Sequence, residues 1–167
     1  MYKRQDYDPA TSNYLYYNRT LSTTDTLYDK VSNGSYVEVT PKSRTQKPII
    51  TFNVWGTLAG EYNVKIVFLP QTRAAAKGKI KENLFDVKKA VISNQGDLAN
   101  SPFAYDLAPN PLKMDTVDVG TVKLARSVYG KEMVGLKLTL ESYGELNGEE
   151  RSTTYLIDCI ILEPSKK

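Results

Sequence analysis

The sequence predicts an all-β fold, a two-sheet antiparallel β-sandwich, and three observations carry that expectation. Apolar residues recur at every second position in several short segments, the pattern of strands with one buried and one wet face. Glycine, proline and Asn-Gly pairs punctuate those segments where strands must turn. Tyrosine occurs 12 times against 4 phenylalanines and one tryptophan, and its ring suits a pleated sheet while its hydroxyl suits a wet surface.

At 167 residues the chain has the length of one ordinary domain and can bury a core without metals or disulfides. Residues 1–34, rich in tyrosine, threonine and asparagine without clear periodicity, are expected to form an arm or edge strand packed on a sandwich spanning 35–167, with a linker from an upstream domain as the alternative. Tyr14, Tyr16 and Tyr17 are expected to pack that arm down.

The first confident strand holds Val37 and Val39, preceded by the turn pair Asn33-Gly34, where a hairpin is expected. Ile50, Phe52 and Val54 give a second, set apart by a polar segment between Pro41 and Pro48. The clearest alternation is Tyr62, Val64, Ile66 and Phe68, bounded by Gly60 and Pro70. The stretch from Arg73 to Gly78 holds three alanines and ends too soon for a helix, so no more than a turn is expected. From Asn94 to Asp115 the abundance of Asn, Pro, Asp and Ser predicts a long irregular connection. Val117 and Val119 keep one phase and Val122 and Leu124 the other, which predicts a β-bulge at Gly120. Leu136, Leu138 and Leu140 mark another half-buried strand, followed by a hairpin at Asn147-Gly148. The run from Tyr155 to Leu162 is apolar on both faces except for Asp158, as in a central strand covered on both sides, a pattern that by periodicity alone a buried helix shares. A buried Asp158 must then be paired or hydrogen-bonded to a basic side chain or backbone amides.

The chemistry is sparse. There is no histidine, which removes the usual general base, the usual zinc ligand and the Ser-His and Cys-His nucleophiles. No glycine-rich phosphate loop or dinucleotide fingerprint is present. A net charge of +3 with interspersed signs offers no basic stripe for nucleic acid. No apolar stretch reaches the roughly 20 residues of a membrane span. The single cysteine, Cys159, reads as a small buried hydrophobe. Glu145, Asn147 and Glu149 place oxygens at alternate positions, the one pattern compatible with structural calcium, without the regularity of an EF-hand loop; no cofactor is otherwise implied. Glu141, Glu145, Glu149 and Glu150 cluster at a turn and read as a solvated hairpin.

Ring faces that stack on sugars and planar groups that pair hydroxyls remain. Trp55, Tyr105, Tyr129, Arg73, Arg126 and Asn100 lie in or beside expected loops. Tyr129, in the turn Ser127-Val128-Tyr129-Gly130, has the least structural reason to be there; Trp55 continues a strand and has core packing as its alternative.

Three core segments, Gly-Glu-Tyr-Asn-Val-Lys-Ile-Val-Phe-Leu-Pro at 60–70, Val-Asp-Val-Gly-Thr-Val-Lys-Leu at 117–124 and Tyr-Leu-Ile-Asp-Cys-Ile-Ile-Leu-Glu-Pro at 155–164, resemble the galactose-binding-domain-like jelly rolls. They are similar to those at the C-terminal end of Bacteroidetes surface lipoproteins, often after a fasciclin-type adhesion domain. The resemblance covers roughly 35–164. It implies a jelly roll, export through an upstream lipoprotein signal to the outer-membrane surface, and adhesion or glycan capture; it transfers no binding site. The expectation is therefore a non-catalytic extracellular module binding a glycan or surface polymer. Two alternatives stand beside it: a structural domain packed on an upstream partner domain, and a carboxylate-dependent glycosidase, which needs two facing carboxyls.

Overall fold

The computed structural model describes residues 14–42, 49–70, 74–86, 91–93, 101–107, 113–129, 132–140, 145–146, 149–150 and 154–165. Among the described residues, twelve strands run in the order β1 (Tyr14–Thr20), β2 (Ser35–Pro41), β3 (Ile49–Val54), β4 (Gly60–Phe68), β5 (Ala74–Asp86), β6 (Val91–Ser93), β7 (Ser101–Leu107), β8 (Asp115–Leu124), β9 (Glu132–Leu140), β10 (Glu145–Leu146), β11 (Glu149–Glu150) and β12 (Tyr155–Pro164). Every pairing among them is antiparallel.

One five-stranded sheet has the order β1-β2-β12-β4-β8, and the other the order β3-β9-β5-β6 with β7 also on β5. Their inward side chains meet in one cluster: Val37, Val39, Val64, Ile66, Phe68, Val117, Val122, Tyr155 and Ile157 from the first sheet, and Ile50, Phe52, Val54, Leu136 and Leu138 from the second. A sandwich results, since each sheet hides its apolar face only against the other. Each fully buried Ile, Leu or Phe contributes about 1.5–3 kcal/mol.

The expected strands hold at β2, β3, β4, β8, β9 and β12. Tyr14 and Tyr16 of the edge strand β1 are buried while Tyr17 is exposed, the alternation of a half-wet strand. Arg19 lies over the Tyr17 ring and forks onto Glu38 of β2. The bulge in β8 appears where the phase change placed it. Val64 pairs with Gly120 and Lys65 with Asp118, leaving Val119 over, and Gly120 sits at φ 99° with its amide on Asp118 Oδ1. β10 and β11 flank Asn147-Gly148 as an antiparallel pair.

Three expectations are corrected. The stretch 73–78 forms no turn at its described positions: Ala74 opens β5, a thirteen-residue strand that β7 and β9 pair from both sides, so tertiary pairing overrides the local alanine signal. The supposed irregular connection 94–115 contains β7, whose partner strand lies elsewhere in the chain. Asn33-Gly34 does not close a tight hairpin; it ends a longer connection, residues 21–34, between β1 and β2. Both residues are left-handed there (φ 55° and 58°). A Cβ on Gly34 would come within 2.3 Å of the Tyr28 ring, so only glycine fits.

That connection is fastened by Asp158. Its Oδ1 accepts the Ser32 amide at 2.9 Å and its Oδ2 the Ser32 hydroxyl at 3.0 Å, so the buried carboxylate is satisfied by an amide and a hydroxyl. β12 shifts register between Ile157 and Cys159, which releases Asp158 from the ladder. Val67 and Leu69, which alternate with the inward Ile66 and Phe68, are also buried, as are Val31 and Cys159. The first sheet is therefore covered on its outer face as well, as the two-sided apolar run of β12 requires.

Cys159 is buried as expected and also donates its thiol to Asp158 Oδ2 at 3.6 Å. Burial, then the neighbouring carboxylate, pushes the thiol from 9.0 up to about 11. An acid held neutral in the folded state favours folding fully below the unfolded thiol value, and that advantage is lost as pH rises from about 9 towards 11. Thiol labelling at pH 8 should be negligible in the folded protein and rapid in denaturant, and Cys159→Ala should flatten the loss of stability between pH 9 and 11.

Candidate binding site at one end of the sandwich

β3 pairs with β9 in one sheet and β4 with β8 in the other. The connections β3 to β4 and β8 to β9 must therefore cross between the sheets side by side, at the same end. The first runs through 55–59 and the second begins at 125.

Two hydroxyls hold them together. The Thr57 amide donates to Ser127 Oγ at 2.9 Å and the Ser127 amide to the Thr57 carbonyl at 2.9 Å. Thr57 Oγ1 donates to the Ala125 carbonyl at 2.8 Å. Since that uses its only proton, the 2.7 Å contact between the two hydroxyls has Ser127 as donor. Thr57 and Ser127 are both buried, so breaking this staple strands polar groups away from water. Gly56 permits the approach: it sits at φ 68° with open space around it, so its conformation rather than crowding selects glycine. Tyr62 adds a bond from its hydroxyl to the Leu58 carbonyl at 3.0 Å.

The staple brings together residues that sequence placed in separate loops. Trp55, half-buried, and Tyr129 have ring centroids 5.6 Å apart, tilted by 55°, within the range of favourable aromatic pairs. Tyr129 is 82% exposed, so its outer face is free to meet a ligand. Arg126 is exposed on the same loop. Trp55 is thus not the core residue that its strand context allowed. Leu58, 72% exposed, and Val128 extend the apolar surface. Beside the loops lies a depression of about 320 Å³ lined by Gly60, Glu61, Lys123, Leu124 and Ala125.

The other candidates fall elsewhere. Tyr105 belongs to β7 rather than to a loop, a correction that follows from β7 pairing with β5. Arg73 and Asn100 lie outside the described residues, as do the side chains of Glu145, Asn147 and Glu149. Among the described residues no three His, Cys, Asp or Glu side chains gather as metal ligands. Sequence reasoning missed Thr57 and Ser127, since a threonine and a serine 70 positions apart carry no local signal.

The architecture is shared with solved carbohydrate-binding modules. The chain superposes with a TM-score of 0.50 and 13% identity, over 95% of its length and 91% of the other, on a family 35 carbohydrate-binding module, Xyl-CBM35, in complex with a glucuronic acid-containing disaccharide. The Podospora anserina GH26-CBM35 β-(1,4)-mannanase is similar at 0.48 and 19%, over 93% of this chain and 28% of that one. A family 35 module from an environmental isolate follows at 0.46 and 13%, over 94% of each chain. No protein-family model and no curated protein matches the chain. What is shared is the fold, a β-sandwich.

Thr57→Val removes one donor and one acceptor from the staple while keeping the shape. It is expected to cost about 1–3 kcal/mol in urea unfolding and to shift the emission of Trp55, the single tryptophan, to the red.

Proposed function

We propose that this chain is a non-catalytic carbohydrate-binding module that takes its ligand on the Trp55–Tyr129 ring pair. The observation that carries the reading is Tyr129: a large ring, 82% exposed, on a loop made rigid by buried hydrogen bonds. Such a ring has little structural use in that position, whereas the apolar face of a sugar would cover it. Arg126 on the same loop supplies planar donors for hydroxyls. The absence of histidine and a depression with Glu61 as the one carboxylate among its described lining residues favour capture over hydrolysis, which needs two carboxyls. Neither step of the reading needs a metal or cofactor.

A second reading rests on the exposed Leu58 and Val128, which would suit a protein surface such as an upstream domain of the same polypeptide. The adjoining depression favours the glycan, because a flat docking face would have no use for it. The core segments' resemblance to Bacteroidetes surface lipoproteins supports an exported, cell-surface location, possessed through an upstream anchor; protease treatment of intact cells should cleave the protein if that holds and spare it if it does not.

A glycan array carrying plant, host and microbial polysaccharides tests the function. The wild-type domain should bind at least one class, Tyr129→Ala should lose that binding at unchanged melting temperature, and calcium or chelator should leave it unaltered. Failure to bind any glycan would favour the protein-docking reading.

A further inference from the structure

Asn33 is exposed and followed by glycine, the neighbour that least obstructs self-deamidation because it carries no side chain. In that reaction the backbone nitrogen of the following residue gives up its proton and attacks the asparagine side-chain carbonyl carbon, Cγ. A nitrogen–carbon bond forms, ammonia leaves, and water opens the resulting ring to aspartate or isoaspartate. Water is the only reagent consumed.

The closed connection 21–34 withholds what this chemistry requires. Ring closure needs the Gly34 nitrogen turned towards Asn33 Cβ, but at ψ 28° that nitrogen nearly eclipses Asn33's own. Its hydrogen is committed to the Val31 carbonyl at 3.1 Å, which opposes its loss. Asn33 cannot turn alone, because both neighbours are fixed. Ser32 is latched to Asp158 through its amide at 2.9 Å and its hydroxyl at 3.0 Å. Gly34 is buried, its carbonyl accepts the Leu21 amide at 2.7 Å, and a Cβ on it would stand 2.3 Å from the Tyr28 ring. Nor is there room for the product. Isoaspartate routes the backbone through an extra methylene between two residues that have no slack.

We infer that Asn33 is a self-modification site gated by the Ser32–Asp158 latch. It keeps its amide while the connection is closed, deamidates when the connection opens, and as isoaspartate prevents it from closing again. Opening is thereby recorded in a covalent change. It also uncovers Cys159, whose thiol shares Asp158 Oδ2 with the Ser32 hydroxyl.

Peptide mapping by mass spectrometry of the whole chain, aged in mildly alkaline buffer, tests this and separates Asn33 from the other Asn-Gly pair, Asn147-Gly148. Asn33 should deamidate at least about tenfold more slowly in the folded protein than in urea. Ser32→Ala, which removes one latch bond, and Asp158→Asn, which weakens both, should each raise the folded-state rate about tenfold by favouring local opening. Should Asp158→Asn fail to fold, Ser32→Ala decides. Thr57→Val, which loosens the staple between the other loops, should leave the rate unchanged. Aged molecules with isoaspartate at position 33 should label at Cys159, while those in the same sample that keep the amide should not. A folded-state rate equal to that in urea, or one that the latch variants do not raise, would overturn the gate. So would equal acceleration by Thr57→Val, since Asn33 would then be reached only through global unfolding. Isoaspartate at position 33 with Cys159 still unlabelled would overturn the loss of closure.

Discussion

A hydroxyl taken out of water must find its partners inside the protein, and Thr57 and Ser127 do so mainly with each other and with backbone from the facing loop. The consequence is mechanical. Each loop crosses from one sheet to the other, so tying the loops together fixes the sheets at that end and orients whatever the loops carry. An aromatic ring on a free loop would lose conformational entropy on meeting a ligand; a ring on a stapled loop has lost much of it on folding. Trp55 and Tyr129 owe their 5.6 Å approach to this arrangement, since they belong to different loops of a strand order that runs the loops in parallel.

The opposite demand falls on β12. A strand at the centre of its sheet with apolar residues on both faces needs cover on both, and the second sheet covers only one. The connection 21–34 supplies the other, held by Ser32 on Asp158 and shaped by the left-handed pair Asn33-Gly34. The register shift at Asp158 is what frees the carboxylate to reach that connection. A polar residue inside an apolar strand is thus a fastening, and the raised thiol of Cys159 follows from lying beside it under cover.

Much of this was legible in the sequence wherever the physical cause is local. Period-two alternation located β3, β4, β8 and β9, and the change of phase at Gly120 located the bulge, because side-chain direction along a strand is a property of the strand alone. Two-sided apolarity marked β12 as central and Asp158 as bonded. The strand β5 and its partner β7 were not legible: alanines, lysines and glycine in one and proline in the other carry weak strand preference, and pairing across the sheet decides them. In the site, Tyr129 stood out because a turn gives a large ring no shelter, whereas Trp55 was ambiguous until its neighbour was known. Thr57 and Ser127 depend on loops brought together from distant positions, and only the fold displays them.

Because Trp55 is the single tryptophan, its fluorescence reports on the proposed site without interference from elsewhere in the domain. Titration of the domain with soluble galactomannan, xylan and mixed-linkage β-glucan, following emission and acrylamide quenching, is the most direct test. A polysaccharide retained by the domain is expected to shift Trp55 emission to the blue and shield it from acrylamide, and Tyr129→Ala to abolish both effects. Retention of a polysaccharide with no change in Trp55 emission or quenching would rule out binding on the Trp55–Tyr129 pair, since the ligand would then lie away from the stapled loops.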